Sequence, residues 1–213
     1  WFCKCLVGDK KWRGDMLMDK KNDNSFFAML SRMKYIERWA LMRNSLRENV
    51  SEHSLETAVV AHALAIIGNC RLGMDYDIEY IALLAMYHDC TEIITGDMPT
   101  PVKYYNTEIK DAYKEIEVNA AKNLLSRLPE DMALEYEKYL LPKEDASVMK
   151  LIKAADKISA LIKCIEEEKT GNREFNHAKE STFKAIRELE CKEAEIFCEE
   201  FVPEYEKTLD ELN

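Results

Sequence analysis

The segment Ile81-Ala-Leu-Leu-Ala-Met-Tyr-His-Asp-Cys-Thr-Glu-Ile-Ile94 places a histidine and an aspartate side by side in an otherwise almost wholly apolar run. Such a run is normally buried, and burying an ionised carboxylate without a partner is costly. A metal ion is one common partner, because imidazole nitrogen and carboxylate oxygen together suit divalent metals. A hydrogen-bonded core histidine beside an aspartate paired with a lysine accounts for the two residues equally well.

Hydrophobic periodicity along the rest of the chain predicts an all-α protein. Glycine (6) and proline (5) are scarce among the 213 residues, and apolar residues recur mostly at three- and four-residue spacing. The run Ala58–Ile67 is apolar on every face, which is typical of a helix at the centre of a bundle. A hydrophobic content of 47% at this length fits one domain with a sizeable core.

Capping residues and helix breakers predict where the helices begin and end. A first helix is expected from Phe26 to about Arg38, and the next begins with Asn49 or Ser51 as its cap. The Ile81 helix is expected to stop at Thr95–Pro101, where a glycine and two prolines force a loop. The remaining predicted segments are 107–128, 135–141, 147–168 and 175–212, the last broken at Pro203.

Residues 1–24 differ from the rest of the chain. They are polar, lack hydrophobic periodicity and open on a tryptophan. We expect them to be a disordered or artificially added extension, and we assign the folded domain to residues 25–213.

Charge and cysteine content narrow the classes of function. The net charge of -10 argues against binding nucleic acid polymers or anionic membranes, since both require a basic face. Seven scattered cysteines, an odd number, are typical of reduced thiols in a cytosolic protein. No apolar stretch is long enough to span a bilayer, and no signal-peptide pattern is found. The sequence therefore predicts a cytoplasmic protein.

The other three histidines lie in different surroundings. His53 falls in the first turn of a predicted helix, in phase with Val60 and Leu64, so it points toward neighbouring helices. A lone histidine there is more often a packing or capping residue than a ligand. His62 lies deep in an apolar run and is expected to be a hydrogen-bonded core residue, whereas His177 lies in a polar segment and is expected at the surface.

Two acidic residues are candidates for the same site as His88 and Asp89. Glu92 follows Asp89 by three residues, which on a helix places the two carboxylates side by side. Beside a metal, Glu92 suits proton transfer with a bound water or a leaving group; without one, it is a solvated residue at a helix end. Asp156 lies at the margin of the apolar stripe of another helix, and pairing with Lys153 or Lys157 is its alternative.

The order of these residues resembles the HD-domain metal-dependent phosphohydrolases. In that superfamily an isolated histidine, a His-Asp pair and a distant aspartate bind one divalent metal at the centre of a helical bundle. The resemblance implies an all-α, single-domain HD-type bundle with the metal ligands His53, His88, Asp89 and Asp156. Mixed nitrogen and oxygen ligands accept Co, Mn, Zn, Fe or Mg.

Longer strings are similar to the bacterial 5'-deoxynucleotidase family. They are Phe26–Lys34, Arg38–Trp39, Leu41–Asn44, Glu48–Ser54 and Thr95–Lys103, and a looser similarity extends to Leu212. The resemblance implies a homodimeric enzyme that hydrolyses deoxyribonucleoside 5'-monophosphates to deoxyribonucleosides and phosphate and rejects ribonucleotides.

The same resemblance implies roles for individual residues. Arg38 would orient the phosphate, for which a planar guanidinium is suited, and Glu92 would be the proton-transfer group. Trp39 would pack against the deoxyribose and leave no room for a 2'-hydroxyl, while Asp97 would accept a hydrogen bond from the 3'-hydroxyl. The implied substrate site comprises Arg38, Trp39, His53, Asp89, Asp97, Met98, Pro99 and Thr100.

Two other functions remain open at this point. An HD phosphohydrolase could act on a deoxynucleoside triphosphate, a cyclic nucleotide or a guanosine polyphosphate, although Arg38-Trp39 and Asp97–Thr100 favour the monophosphate. A non-catalytic nucleotide-binding module is the other possibility. It predicts loss of a metal ligand or of the proton-transfer group, and all five residues are present.

Overall fold

The computed structural model describes residues 24–103, 105–143 and 145–212. Within these ranges the chain is helical, which confirms the all-α prediction, and a single antiparallel bridge joins Glu37 to Asn49. The α-helices are α1 Phe26–Leu30, α2 Val50–Arg71, α3 Ile78–Tyr87, α4 Glu92–Thr95, α5 Thr100–Lys103, α6 Thr107–Leu125, α7 Glu130–Leu140, α8 Ala146–Lys169, α9 Asn176–Glu188 and α10 Lys192–Glu200. Three short 3-10 helices are Ser31–Tyr35, Arg173–Phe175 and Val202–Glu206.

The main core lies where α2, α3 and α8 pack together. Leu64 of α2, Ile81 of α3 and Ile158 of α8 are all fully buried in one cluster. Each such side chain stabilises the fold by about 1.5–3 kcal/mol relative to exposure. A second cluster, which includes Phe26 and Leu124, packs α1 against α6. The two long helices that carry His53 and Asp156 are therefore fixed by the larger of these two clusters of buried residues.

Asn49 is the cap of α2, which decides between the two predicted capping residues. Its side chain accepts hydrogen bonds from the backbone N–H groups of Ser51 (3.0 Å) and Glu52 (3.1 Å). The Glu52 carboxylate accepts one in return from the Asn49 backbone at 3.1 Å, completing a capping box. This start places His53 at the end of the first turn, facing the core.

The first helix is shorter than predicted. Regular α-helix ends at Leu30, and Ile36 is extended, with φ -101° and ψ 106°. The backbone of Arg38 donates to the Glu48 carbonyl, and that of Val50 donates to the Ile36 carbonyl, both at 2.9 Å. This pairing competes with helix formation and closes residues 37–49 into a loop, so Arg38 lies outside any helix.

The predicted continuous helix through Ile94 is interrupted after Tyr87. Residues 88–91 form a turn, and α4 begins at Glu92. Hydrogen bonds in the turn span three residues instead of four: Cys90 N–H donates to the Tyr87 carbonyl at 3.1 Å, and Glu92 N–H to the Asp89 carbonyl at 3.0 Å. The predicted helix end at Thr95–Pro101 is confirmed, since Gly96, with φ 72°, ends α4.

The C-terminal segment, predicted to break only at Pro203, is also broken before α10. Glu190 adopts a left-handed φ of 49° between α9 and α10, and the 3-10 helix 202–206 contains the proline. Two other boundaries were misplaced: α6 ends at Leu125, and α7 begins at Glu130. Residues 1–23 lie outside the described residues, so the predicted extension stays a prediction.

The prediction that α2 is buried on every side is wrong on one face. His62, expected in the core, is exposed together with Leu55, Val59 and Ile66. These four residues recur at helical spacing on the side of α2 that the other helices leave uncovered. His177 is exposed, as expected. Across the described ranges, no helix has the length and apolar content needed to cross a membrane.

Candidate metal centre and active site

The four predicted metal ligands converge from three elements. His53 comes from the first turn of α2, His88 and Asp89 from the turn after α3, and Asp156 from the middle of α8. His53 Nε2 lies 3.4 Å from Asp89 Oδ2 and 3.2 Å from Asp156 Oδ1. Ligand atoms of His53, His88 and Asp156 all lie within 4.8 Å of one another. Two imidazoles and two carboxylates thus face one point.

The hydrogen bonding of His88 fits a metal ligand. Its Nδ1 lies 2.6 Å from the Ala85 carbonyl oxygen and carries the proton of this contact, because a carbonyl only accepts. Nε2 is buried without a hydrogen-bond partner among the described residues, yet it lies 3.1 Å from Asp89 Oδ2. An imidazole lone pair and a carboxylate oxygen repel at this distance unless a metal ion or a proton lies between them.

The pKa values show how strongly the cluster attracts positive charge. Burial disfavours the ionised form of Asp89, but His88 and His53 outweigh it and hold the pKa of this carboxyl well below its usual range. Burial and the Arg38 charge lower the pKa of His53, whereas its contacts with Asp156 and Asp89 raise it to about 9. A divalent cation satisfies the same carboxylates and leaves the imidazoles neutral.

The structure places Glu92 at the edge of this cluster, in the first turn of α4. The residue is 7% exposed, and its Oε2 lacks a hydrogen-bond partner among the described residues. Burial, together with the charges of Asp89 and Asp97, raises the pKa of Glu92 to about 9. A carboxyl with so high a pKa holds a proton near neutral pH, and a nearby cation lowers that pKa, so the group is suited to proton transfer.

Arg38 and Trp39 are held by one oxygen atom. Glu48 Oε2 accepts hydrogen bonds from Arg38 Nη1 at 2.9 Å and from Trp39 Nε1 at 2.8 Å. Burial lowers the pKa of Arg38, but the surrounding carboxylates, with Glu48 the strongest, outweigh it and raise it. Glu48 was missed as a site residue; the only sequence signal is its place in the string Glu48–Ser54.

The loop that carries Arg38 and Trp39 is anchored to α8 by Glu167. This fully buried carboxylate accepts hydrogen bonds from the backbone N–H groups of Ser45 (2.8 Å) and Leu46 (3.0 Å) and from Lys163 Nζ (2.5 Å). Trp39 has a left-handed φ of 59°, and its ring packs at 5.3 Å from that of Phe175. These contacts hold a strained backbone conformation in place.

The predicted sugar-binding loop lies beside the same residues. Asp97, Met98 and Pro99 are half-buried between α4 and α5. Burial raises the pKa of Asp97, and the Arg38 charge and a backbone hydrogen bond from Trp39 offset this rise only in part. Asp97 therefore adjoins both Arg38 and Trp39. Thr100 begins α5, but its side chain lies outside the described part of the structure.

The alternative partners for Asp156 are not used in the described residues. Its carboxylate pairs with His53, and neither Lys153 nor Lys157 comes within ion-pair distance. Its pKa is lowered to about 2 because the hydrogen bond and charge of His53 outweigh burial. A lysine partner for Asp89, the alternative to a metal at the His88-Asp89 pair, is likewise absent among these residues, since Asp89 contacts the two histidines.

A helical bundle in which His, His-Asp and Asp meet defines the HD-domain phosphohydrolase class. The structure is similar to an HD-domain phosphohydrolase from Listeria innocua, with a TM-score of 0.74 and 26% identity, over 85% of this chain and 88% of that chain. The fold is also similar to that of the cyanophage S-2L HD phosphohydrolase, with a TM-score of 0.60 and 18% identity over 83% and 96% of the two chains.

Sequence comparison defines the family within this class. Residues 25–205 match the YfbR-like 5'-deoxynucleotidase family. A 5'-deoxynucleotidase of Vibrio parahaemolyticus is 49% identical over 195 residues, covering 90% of this chain and 99% of its own length. One from Photorhabdus laumondii is 48% identical, covering 88% and 96%. The chain belongs to the YfbR-like 5'-deoxynucleotidase family and is a nucleotide phosphohydrolase.

Proposed function

We propose that the protein uses one divalent metal ion to hydrolyse deoxyribonucleoside 5'-monophosphates to deoxyribonucleosides and phosphate. The observation that carries the proposal is the meeting of the four-ligand cluster with Arg38, Trp39 and Asp97 in one site. Relatives with 46–49% identity named 5'-deoxynucleotidases support this reaction. The cyanophage S-2L phosphohydrolase, which was solved with dA and one catalytic Zn2+ ion, supports the substrate class and the metal.

The metal ligands in this proposal are His53, His88, Asp89 and Asp156. A divalent ion bound there would polarise a phosphoryl oxygen of the substrate and lower the pKa of a water molecule. Its identity among Co, Mn, Zn, Fe and Mg is not fixed by a ligand set of this kind. His53 and Asp89 also line the space in which the phosphate would lie.

Arg38 and Glu92 are the groups we propose to act on the phosphate. Glu48 accepts a hydrogen bond from Nη1 of Arg38, which leaves other N–H groups of the guanidinium to neutralise charge on the phosphoryl oxygens. Glu92 transfers the proton, either taking it from the attacking water or giving it to the departing 5'-oxygen. Each transfer moves one proton: from the attacking water to the Glu92 carboxylate in the first case, and from the Glu92 carboxyl group to the 5'-oxygen in the second.

Sugar selection is assigned to Trp39, Asp97, Met98, Pro99 and Thr100. The Trp39 ring is fixed on two sides, by Glu48 and by Phe175, so it cannot move aside for a larger sugar. A 2'-hydroxyl would clash with it, which excludes ribonucleotides. The Asp97 carboxylate lies next to Trp39 and can accept a hydrogen bond from the 3'-hydroxyl.

Phosphate release from dAMP and AMP, with and without added divalent metal, tests this function. The wild-type protein should release phosphate from dAMP only with metal, and Asp89→Ala should be inactive in both conditions. Equal rates on dAMP and AMP would contradict the role of Trp39. Pyrophosphate release from dATP at a higher rate than phosphate release from dAMP would favour the triphosphate alternative.

We also propose a cytoplasmic homodimer. The exposed stripe of α2, formed by Leu55, Val59, His62 and Ile66, contains no aspartate, glutamate, lysine or arginine, in a chain of net charge -10. A two-fold interface buries the same patch of both copies, so an uncharged patch suits it. The odd number of scattered cysteines supports a reducing compartment.

Sedimentation velocity tests the dimer. Val59→Glu should shift the protein from dimer to monomer, whereas Leu134→Glu, at an exposed apolar residue on α7, should leave the dimer intact. A monomeric wild-type protein, or a dimer unaffected by Val59→Glu, would contradict this interface.

A further inference from the structure

A chain of three polar side chains lies behind the metal cluster, on the side of His53 that faces away from Asp89 and Asp156. His53 Nδ1 lies 3.0 Å from Ser159 Oγ, and Ser159 Oγ lies 2.7 Å from Glu56 Oε2. Ser159 is fully buried, and Glu56 is partly buried. None of the proposed roles uses Ser159 or Glu56.

The positions of these residues along α2 and α8 bring the three polar side chains together. Glu56 lies three residues after His53 on α2, and Ser159 lies three residues after Asp156 on α8, so each pair shares a helix face. His53 is in contact with both Asp156 and Ser159 of the facing helix. Both ring nitrogens of His53 therefore contact residues of α8.

The hydrogen-bond chain has a defined direction. Ser159 Oγ donates its single hydroxyl hydrogen to Glu56 Oε2. Ser159 Oγ then accepts from His53, which requires the proton on Nδ1. Thr57 Oγ1 is the other neighbour, but it lies 3.4 Å from Nδ1 and 3.5 Å from Nε2, so it selects neither nitrogen.

We propose that Ser159 and Glu56 are positioning residues that hold the proton of His53 on Nδ1 and so keep the Nε2 lone pair directed at the metal. This inference rests on the proposed metal centre. Outer hydrogen-bond partners of ligating histidines fix the tautomer and the ring orientation, and their loss costs about 10–100-fold in metal affinity or activity. Ser159 and Glu56 act through His53 and have no contact with the phosphate.

The test is a titration of the full-length, metal-stripped protein with Co2+, followed by visible absorption in the absence of nucleotide. Ser159→Ala and Glu56→Ala should each raise the Co2+ dissociation constant by about 10–100-fold and alter the spectrum. In Glu56→Ala the serine hydroxyl is free to donate to Nδ1, which moves the histidine proton to Nε2. Glu56→Gln should have a smaller effect, because its amide oxygen still accepts from Ser159.

Two matched variants serve as controls. Ser54→Ala removes a buried hydroxyl next to His53 that has no hydrogen-bond partner among the described residues. Glu166→Ala removes a glutamate that lines the same surface cavity as Glu56. Both should bind Co2+ as the wild-type protein does.

The outcomes separate this inference from the metal centre itself. A wild-type protein that does not bind Co2+ would overturn the proposed metal centre and the inference with it. If the wild type binds, and Ser159→Ala and Glu56→Ala bind with unchanged affinity and spectrum, the positioning role is wrong even where the thermal midpoint falls. A lower midpoint with unchanged binding would mean that the contacts only join α2 to α8.

Discussion

The candidate metal cluster and the loop 37–49, which carries Arg38 and Trp39, are held in place by different means. The cluster is carried by α2, α8 and the turn after α3, and the packing of these long helices in the main core fixes its geometry. Arg38 and Trp39 lie in the irregular segment 37–49, which depends on a few hydrogen bonds to Glu48 and Glu167. Damage to the two regions should therefore have separable effects, on metal-dependent turnover in one and on substrate affinity and selectivity in the other.

The largest effect is expected from Asp156→Ala, which removes a proposed metal ligand. Metal catalysis supplies several kcal/mol of transition-state stabilisation, so turnover should fall by at least about 10³-fold. Metal content by mass spectrometry and phosphate release from dAMP measure it. Lys153→Ala, at an exposed residue one turn away, is the control, and full activity of Asp156→Ala would remove this residue from the ligand set.

Glu92→Gln should show the next largest effect. Loss of the proton-transfer group should lower kcat by about 10²–10³-fold, with the KM for dAMP and the Co2+ affinity nearly unchanged. Steady-state kinetics with dAMP measure the split, and Glu108→Gln at an exposed site of α6 is the control. Turnover at the wild-type rate would exclude Glu92 from the mechanism.

Glu48→Gln should weaken the attachment of Arg38 and Trp39 in the loop 37–49 and leave the candidate metal cluster unchanged. Removing the charge weakens both hydrogen bonds to Arg38 and Trp39, and a bond to a charged group contributes about 1.5–3 kcal/mol. We expect kcat/KM for dAMP to fall about 10–100-fold, mainly through KM.

In the same variant, the ratio of kcat/KM for dAMP to kcat/KM for AMP should fall, while the Co2+ affinity stays that of the wild type. The control is Glu37→Gln, since this exposed residue contributes only its backbone to the neighbouring bridge. A variant with weakened Co2+ binding and unchanged sugar selectivity would show that the two regions are not separable.

The last effect, one on stability, is expected from acidification of the wild-type protein. Burial raises the pKa of Glu167, but its hydrogen bonds, that from Lys163 first, outweigh this and lower it from 4.5 to about 2. A depressed pKa stabilises the fold above the unfolded value, and this contribution, at most about 3 kcal/mol, is lost as the pH falls from 4.5 to 2.

Urea unfolding between pH 2 and pH 7 measures the free energy of unfolding. The contribution of Glu167 appears as the slope of this free energy against pH. Glu167→Gln should be less stable at pH 7 and should show a flatter dependence below pH 4.5, whereas Glu168→Gln at an exposed site should keep the wild-type slope. Identical slopes in the wild type and Glu167→Gln would contradict the buried anchor.

The sequence predicted those features that depend on local spacing. The all-α class, a helix cap at Asn49 or Ser51 and the stop at Gly96 followed from periodicity and from residue types at fixed offsets. The ligand candidates His88 and Asp89 stood out because polar residues in an apolar run need a partner. His53 and Asp156 suited packing or a lysine ion pair as well as a metal, and only the family resemblance selected them as ligands.

Features that depend on tertiary contacts were missed. The end of α1 at Leu30 reflects pairing with residues 48–50, which no local pattern of the first helix reveals. The exposure of His62 depends on which side of α2 other helices cover. Ser159 lies 106 residues from His53 in the chain, and the contact that makes it relevant exists only in the folded protein.

The backbone of Trp39 has a consequence for binding kinetics and affinity. A left-handed φ of 59° is unfavourable for a bulky side chain, and the free energy it costs is met during folding, through the contacts of Glu48, Glu167 and Phe175. The surface that we propose to contact the sugar is thus in place before any nucleotide arrives. Binding then requires no ordering of this loop, so a small ligand loses little of its affinity to conformational entropy.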